Sequence, residues 1–246
     1  MEWLQDGIVL TVRPLGEGSV ILDALTRDHG RHLGVVRGGG SRRMAGVLES
    51  GNLVRLTWRA RLAEQLGSYQ AEPNQARTAA IFHDRIKLAS IVSLCALVPA
   101  ITPERHAYPR LFDALDALTD AASDMTTLEV AAAVVRFELL LLEELGFGLD
   151  LRECTATGIL QDLAFVSPKS GRAVSLSAGA PYRERLLRLP AFLTDANVPV
   201  SVACVADGLA LTGFFLDRQL LSPHQKALPA ARLRLSEMVA AGLGSD

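Results

Sequence analysis

Over its first quarter the chain alternates apolar and polar residues in short runs separated by glycine turns. Ile8, Leu10 and Val12 alternate with Val9, Thr11 and Arg13, and Pro14, Gly16 and Gly18 then mark a turn. A second run, Ser19 to Leu25, ends at Asp28-His29-Gly30, where short polar and glycine residues favour chain reversal. A third, His32 to Val36, enters the triplet Gly38-Gly39-Gly40. A fourth spans about Asn52 to Leu62, and a fifth follows Gly67. Five short strands without helical period predict a small closed β-barrel of the OB-fold type over residues 1–76, because closure removes the exposed edges of so short a meander.

After Pro73 the period changes from two to between three and four. Gln75 to Pro99 is rich in alanine and leucine at helical spacing, and Leu111, Phe112, Leu115 and Leu118 form an apolar stripe in a second helical stretch after Pro109. A third helix is predicted to start at Thr126, because Glu129 stands three residues on in capping-box position. It should stop at Gly146. Cys154 to Pro181 reads as loop, rich in Gly and Ser. Helix is expected again around Arg183 to Leu189, Gly208 to Leu221 and Pro229 to Leu243. The fold class is therefore α+β and multi-domain: a barrel, then a mainly α-helical domain over residues 77–246.

At 246 residues and 49% apolar content the chain has ample material for a buried core. Its formal net charge is −2, so any nucleic-acid site must be a local patch. One such segment runs from Arg27 to Arg61. There Arg27, Arg31, Arg37, Arg42, Arg43, Arg55, Arg59 and Arg61 face only Asp28 and Glu49. Cys95, Cys154 and Cys204 are far apart with no C-x-x-C pairing, which excludes a disulfide framework and a complete zinc site and fits a reducing cytoplasm. No basic-then-apolar leader opens the chain. The most apolar stretch, Leu88 to Ile101, is too short to span a bilayer, so no membrane insertion is expected.

In an extended fourth strand, Arg55, Thr57, Arg59 and Arg61 share one face, and Val54, Leu56, Trp58, Ala60 and Leu62 share the other. One face fills the barrel. Arginines spaced along the other suit a single-stranded phosphate backbone, because each neutralised phosphate releases counterions without sequence readout. The bland alternative is an ordinary solvated strand face. The neighbouring Arg37-Gly38-Gly39-Gly40-Ser41-Arg42-Arg43 favours the DNA reading, since bare glycine amides approach phosphates closely. It is not a Walker A loop: the spacing and the lysine are missing. Trp58 falls on the inward face, while either face is open to Tyr69. His29, His32, His83, His106 and His224 show no ligand spacing and are expected in surface or cap roles. Glu143-Glu144 are adjacent on a helix and cannot face one two-metal centre, so no catalytic residue, metal or cofactor is expected.

Several stretches in order resemble the RecO family across essentially the whole chain. They are Met1-Glu2-Trp3 with Gly7-Ile8-Val9-Leu10, then Arg13-Pro14-Leu15-Gly16-Glu17, then Asp28-His29-Gly30-Arg31 to Arg37-Gly38. Farther on, Arg136-Phe137-Glu138-Leu139-Leu140 through Gly146 is followed by Cys154, Gly158 and Phe165-Val166-Ser167-Pro168-Lys169-Ser170-Gly171. The resemblance implies an N-terminal OB-fold and a helical domain with an inserted module, here residues 150–182, that is a four-cysteine zinc finger in some members. It further implies binding to single- and double-stranded DNA, annealing of complementary strands, and docking on the C-terminal tail of single-stranded-DNA-binding protein. Work with RecR to load RecA is implied as well, in the cytoplasm at the nucleoid and without enzymatic turnover.

Cys154 matches the first zinc ligand, but Thr157, Ser175 and Ala178 stand at the other three positions. A metal-free, degenerate module is therefore expected. The resemblance also gives Arg136 a role, receiving the acidic and apolar partner tail; a simple pairing with a nearby Glu is the alternative. A protein-interaction adaptor whose barrel does not touch DNA is the competing reading of the whole chain.

Overall fold

The first-quarter alternation becomes five strands: β1 (Glu2–Leu15), β2 (Ser19–Thr26), β3 (Gly30–Val36), β4 (Leu53–Arg59) and β5 (Ser68–Gln75). They close into a barrel of order β1-β2-β3-β5-β4. This computed structural model describes residues 1–62, 64–195 and 197–242. Most seams of the barrel are long and antiparallel. The last is parallel and only two residues long, Val35↔Ser68 and Val36↔Tyr69.

The period-two pattern of β4 holds: Val54, Leu56 and Trp58 are buried, while Arg55 and Arg59 are exposed. Inward residues from all the strands, among them Val9, Leu22, Val36, Val54, Leu56, Trp58 and Tyr69, make one apolar core. Each fully buried large side chain contributes about 1.5–3 kcal/mol. Tyr69, undecided in the sequence, turns inward. Its ring needs Gly34 opposite, since a Cβ there would stand 2.4 Å from Tyr69 Cδ2.

β4 is shorter than the sequence suggests and ends at Arg59, so Ala60, Arg61 and Leu62 lie outside it. The segment after the glycine triplet, read as loop, contains a short helix α1 (Arg42–Val47) with Ser41 as N-cap. The predicted helix from Gln75 to Pro99 is two: α2 (Arg77–Ala80) and α3 (Arg85–Ile101). The second is started by the Asp84 carboxylate, which accepts from the amides of Ile86 and Lys87. A side-chain cap of that kind outcompetes continued helix because it satisfies amides that have no partner within the helix. The predicted apolar stripe lies in α4 (Pro109–Ala121), with Leu111, Phe112, Leu115 and Leu118 all buried.

The chain divides into two compact units, Met1–Met125 and Thr126–Asp246, so α2, α3 and α4 belong with the barrel. The second unit opens with α5 (Thr127–Glu144), whose capping box of Thr126 and Glu129 is formed as the spacing predicts. Gly146 stops it at φ +85.

The stretch from Cys154 to Pro181, read as loop, holds β6 (Leu163–Val166), β7 (Ala173–Ser175) and α6 (Leu176–Gly179). The expected helix from Arg183 to Leu189 is instead a 3-10 turn, Ala180–Arg185, and a strand, β8 (Leu187–Arg188). β8 and β7 flank β6 in a three-stranded sheet. Runs this short carry too few apolar positions to show a period.

Two more helices complete the unit, α7 (Val202–Phe215) and α8 (Ala230–Ala240). α7 runs into a π-helical turn, Leu216–Leu221. Leu243, the expected end of α8, lies outside the described residues. Glu138 of α5 and Arg232 of α8 form a fully buried ion pair, joined by Thr212 of α7.

Candidate nucleic-acid interface

The eight arginines between Arg27 and Arg61 are less free than a local count implies. Antiparallel pairing of β1 with β4 sets Glu2 opposite Arg59 and Asp6 opposite Arg55. Arg59 donates to Glu2 at 2.7 Å, and Arg55 donates to Asp6 at 3.0 and 3.4 Å. The hydrogen bond and charge of Arg59 hold the Glu2 carboxyl below its usual range. Elsewhere Arg27 forks onto Asp113 of α4, and Arg31 meets the buried Asp23 at 2.9 Å. Burial pushes Asp23 up to about 6 against the opposing pull of Arg31. Glu2, Asp6 and Asp113 are remote in sequence from the arginines they meet, and Asp23 lies just before the segment, so a window from 27 to 61 missed all of them.

Arg37, Arg42, Arg43 and Arg61 are exposed and have no carboxylate partner among the described residues. Arg42 and Arg43 begin α1, and Arg37 directly follows the last residue of β3. Arg61 is off the strand and does not extend the stripe of Arg55 and Arg59 as the alternation predicted.

Arg37 and Arg59 line one open cleft of about 400 Å³ beside the two-residue seam between β3 and β5. Thr57, Ser68 and Gln70 supply polar lining, and Met44 reaches it from α1. Only two residue pairs join β3 to β5 beside the cleft. Tyr69 borders it but is buried in the core. Hydroxyls, an amide and two guanidiniums suit phosphate and sugar oxygens rather than stacked bases. Ser68 and Gln70 were missed in the sequence. Their alternate positions after Gly67 were the available signal.

Two of the three amides of the glycine triplet are already engaged. Gly39 N donates to Val36 O at 3.3 Å, Gly40 N to Gly18 O at 3.2 Å, and Ser41 N to Gly38 O at 3.2 Å. Gly38 takes φ +72, and a Cβ on Gly39 would meet Val20 at 2.5 Å. The triplet is glycine so that the chain can turn tightly against β2, with the Gly39 and Gly40 donors already spent.

His32 is also a correction. It is not at the surface but buried in a cluster with Trp3, Trp58 and Tyr69. Burial, with lesser repulsion from Arg105 and His29, pushes its pKa down to about 4.

In the second unit Arg136 is exposed on α5. Its guanidinium donates to the Phe192 carbonyl at 3.3 Å and lies 5.1 Å from the centre of the Phe192 ring. The cation thus sits against an apolar neighbour from a distant turn.

Cys154, Thr157, Ser175 and Ala178, the four positions that the resemblance sets against zinc ligands, are gathered around one sulfur. Cys154 Sγ accepts from the Ser175 amide at 3.2 Å and lies 3.4 Å from Ser175 Oγ, and Ala178 packs against the same cluster. Burial opposes ionisation of this thiol, yet hydrogen bonds from Ser175, Thr157 and the amides of Ser175 and Ala156 draw its pKa down to about 6. One thiol, two hydroxyls and a methyl do not make a tetrahedral zinc set. No helix among the described residues is long and apolar enough to cross a membrane.

Comparison with known proteins covers nearly the whole chain. The family profile described as Recombination protein O N terminal matches residues 1–77, and that described as Recombination protein O C terminal matches residues 83–229. The chain is 52% identical over 236 residues to a protein of Rhodospirillum centenum named DNA repair protein RecO, covering 95% of this chain and 93% of that one. It is 50% identical over 234 residues to a protein of the same name from Methylocella silvestris, covering 94% and 93%. A third so named, from Methylorubrum extorquens, is 45% identical over 253 residues, and the match covers both chains throughout.

Proposed function

The chain belongs to the RecO family, and on that premise we propose that it is a non-catalytic mediator of DNA repair and homologous recombination. Residues 1–76 act as an OB-fold that binds single-stranded DNA, and duplex more generally, through Arg37, Arg42, Arg43, Arg59 and Arg61, with Arg55 at the margin. The observation that carries this reading is the cleft in which Arg37 and Arg59 meet Thr57, Ser68 and Gln70. Held strands are brought together for annealing by charge neutralisation.

Residues 77–246 serve the protein partners. Arg136 and the Phe192 ring receive the acidic, aromatic tail of single-stranded-DNA-binding protein, the cation clamping carboxylates while the ring supplies apolar contact. RecR joins the complex, and RecA is then loaded on the cleared strand, in the cytoplasm at the nucleoid. Residues 150–182 are a zinc-finger descendant that folds without metal.

The test is anisotropy titration of a labelled single strand across salt concentrations, comparing the wild type with the charge-reversed triple variant of Arg37, Arg42 and Arg43. Each lost phosphate contact should flatten the log K against log salt slope by about 0.7. An unchanged slope in a folded variant overturns the DNA role of the barrel. It would favour the adaptor reading, for which the pairing of Arg55 and Arg59 with Asp6 and Glu2 is the supporting observation.

A further inference from the structure

Most of the chain's tyrosine and tryptophan rings are at least partly sheltered. Tyr182 is different: it is 61% exposed on the 3-10 turn that follows α6, so packing does not account for its ring. Arg183 and Arg185 flank it, both exposed, and neither has a hydrogen bond or carboxylate partner among the described residues. In a 3-10 turn residues three apart are eclipsed, which sets Tyr182 and Arg185 on one ridge and Arg183 a third of a turn away. These side chains, with Ala180, Pro181 and Glu184, line a shallow cleft of about 380 Å³.

The turn is held at both ends. Before it, Gly179 is packed so closely that a Cβ would stand 2.4 Å from Phe165. After it, β8 pairs with β6 through Leu187↔Val166 and Arg188↔Phe165. Beneath lies the small cluster of Cys154, Phe165 and Val174, with Leu186 packed against it. The backbone that carries the ring and the two cations is clamped, so little backbone freedom is lost when something binds.

We infer that Tyr182, Arg183 and Arg185 form a second contact for single-stranded nucleic acid, in which the tyrosine stacks on a base and the arginines hold the adjoining phosphates. The ring is sequence-tolerant because every base has a π face, and the cations add salt-sensitive affinity. The barrel cleft offers charge and hydroxyls without an exposed ring, so the turn supplies the stacking that the barrel lacks. This rests on the reading of the chain as a DNA-binding protein, but not on where in the barrel DNA lies.

The experiment uses the full chain and two labelled oligonucleotides, one of thymidines and one of abasic sugar-phosphate. Tyr182→Ala should weaken binding to the thymidine strand about tenfold with an unchanged salt slope, leave the abasic strand unaffected, and be rescued by Tyr182→Phe. Arg183→Ala with Arg185→Ala should flatten the slope on both strands by about 1.4. Wild-type binding by Tyr182→Ala, or an equal loss on both strands, overturns the proposal. So does a variant that keeps DNA affinity and loses only an acidic peptide, which would make the turn a protein-docking site. Circular dichroism checks the fold, which an exposed residue should not disturb. If the Arg37, Arg42 and Arg43 variant binds normally while Tyr182→Ala does not, the barrel reading fails and this one stands; the reverse result separates them the other way.

Discussion

Replacing Arg232 by Met should destabilise the helical unit far more than replacing both members of its ion pair. Glu138 and Arg232 are 0% and 1% exposed, and the guanidinium forks onto the carboxylate through Nε and through Nη2 at 2.9 Å. Nη2 also donates to Leu209 O at 2.8 Å, and Thr212 Oγ1 donates to the Glu138 carboxylate. Removing the cation strands a buried carboxylate with the Thr212 hydroxyl and no charge partner, at a cost of about 3–5 kcal/mol. Glu138→Leu strands the guanidinium in the same way. The double variant leaves no uncompensated charge, and it should return to within about 1–2 kcal/mol of wild type or exceed it. Urea denaturation followed by far-UV circular dichroism reads the helices. Tryptophan fluorescence reads the barrel unit separately, because Trp3 and Trp58 both lie there. A loss below about 1 kcal/mol for Arg232→Met would place the pair with solvent-exposed bridges and refute the reasoning.

Three further outcomes are expected. Glu2→Gln combined with Asp6→Asn should release Arg59 and Arg55, tightening single-strand binding and steepening its salt slope by up to about 1.4; an unchanged slope removes both arginines from the phosphate-contacting set. The pKa of His32 is depressed to about 4, so its contribution is present above the unfolded value near 6.5 and is lost as pH falls toward 4. Relative to wild type, His32→Gln should therefore gain about 1.4 kcal/mol per pH unit on acidification through that window, and parallel stability curves would contradict the burial argument. Gly34→Ala, whose new Cβ would press on Tyr69, should cost about 1–3 kcal/mol in barrel unfolding followed by tryptophan fluorescence, and a neutral result would mean the ring can shift freely.

Strands β1 to β5, the capping box at Thr126 and the buried stripe of α4 could be read from the chain because each depends on neighbours within a few positions. The turn chemistry, the period of burial and the helix start are local effects, and Val54, Leu56 and Trp58 turn inward as alternation requires. The short elements between Cys154 and Arg188 escaped because they are too brief to show a period and are stabilised by one another. Arginine type and position were also legible.

What the arginines do was decided only in three dimensions. Cross-strand register brings Glu2 to Arg59 and Asp6 to Arg55, while the end of β4 removes Arg61 from their stripe. Arg37 and Arg59 line one cleft beside the short seam between β3 and β5, and internal hydrogen bonds engage the Gly39 and Gly40 amides. A side chain's type is a property of the sequence. Whether its charge is free depends on carboxylates dozens of residues away, and strand pairing, not spacing along the chain, sets that distance.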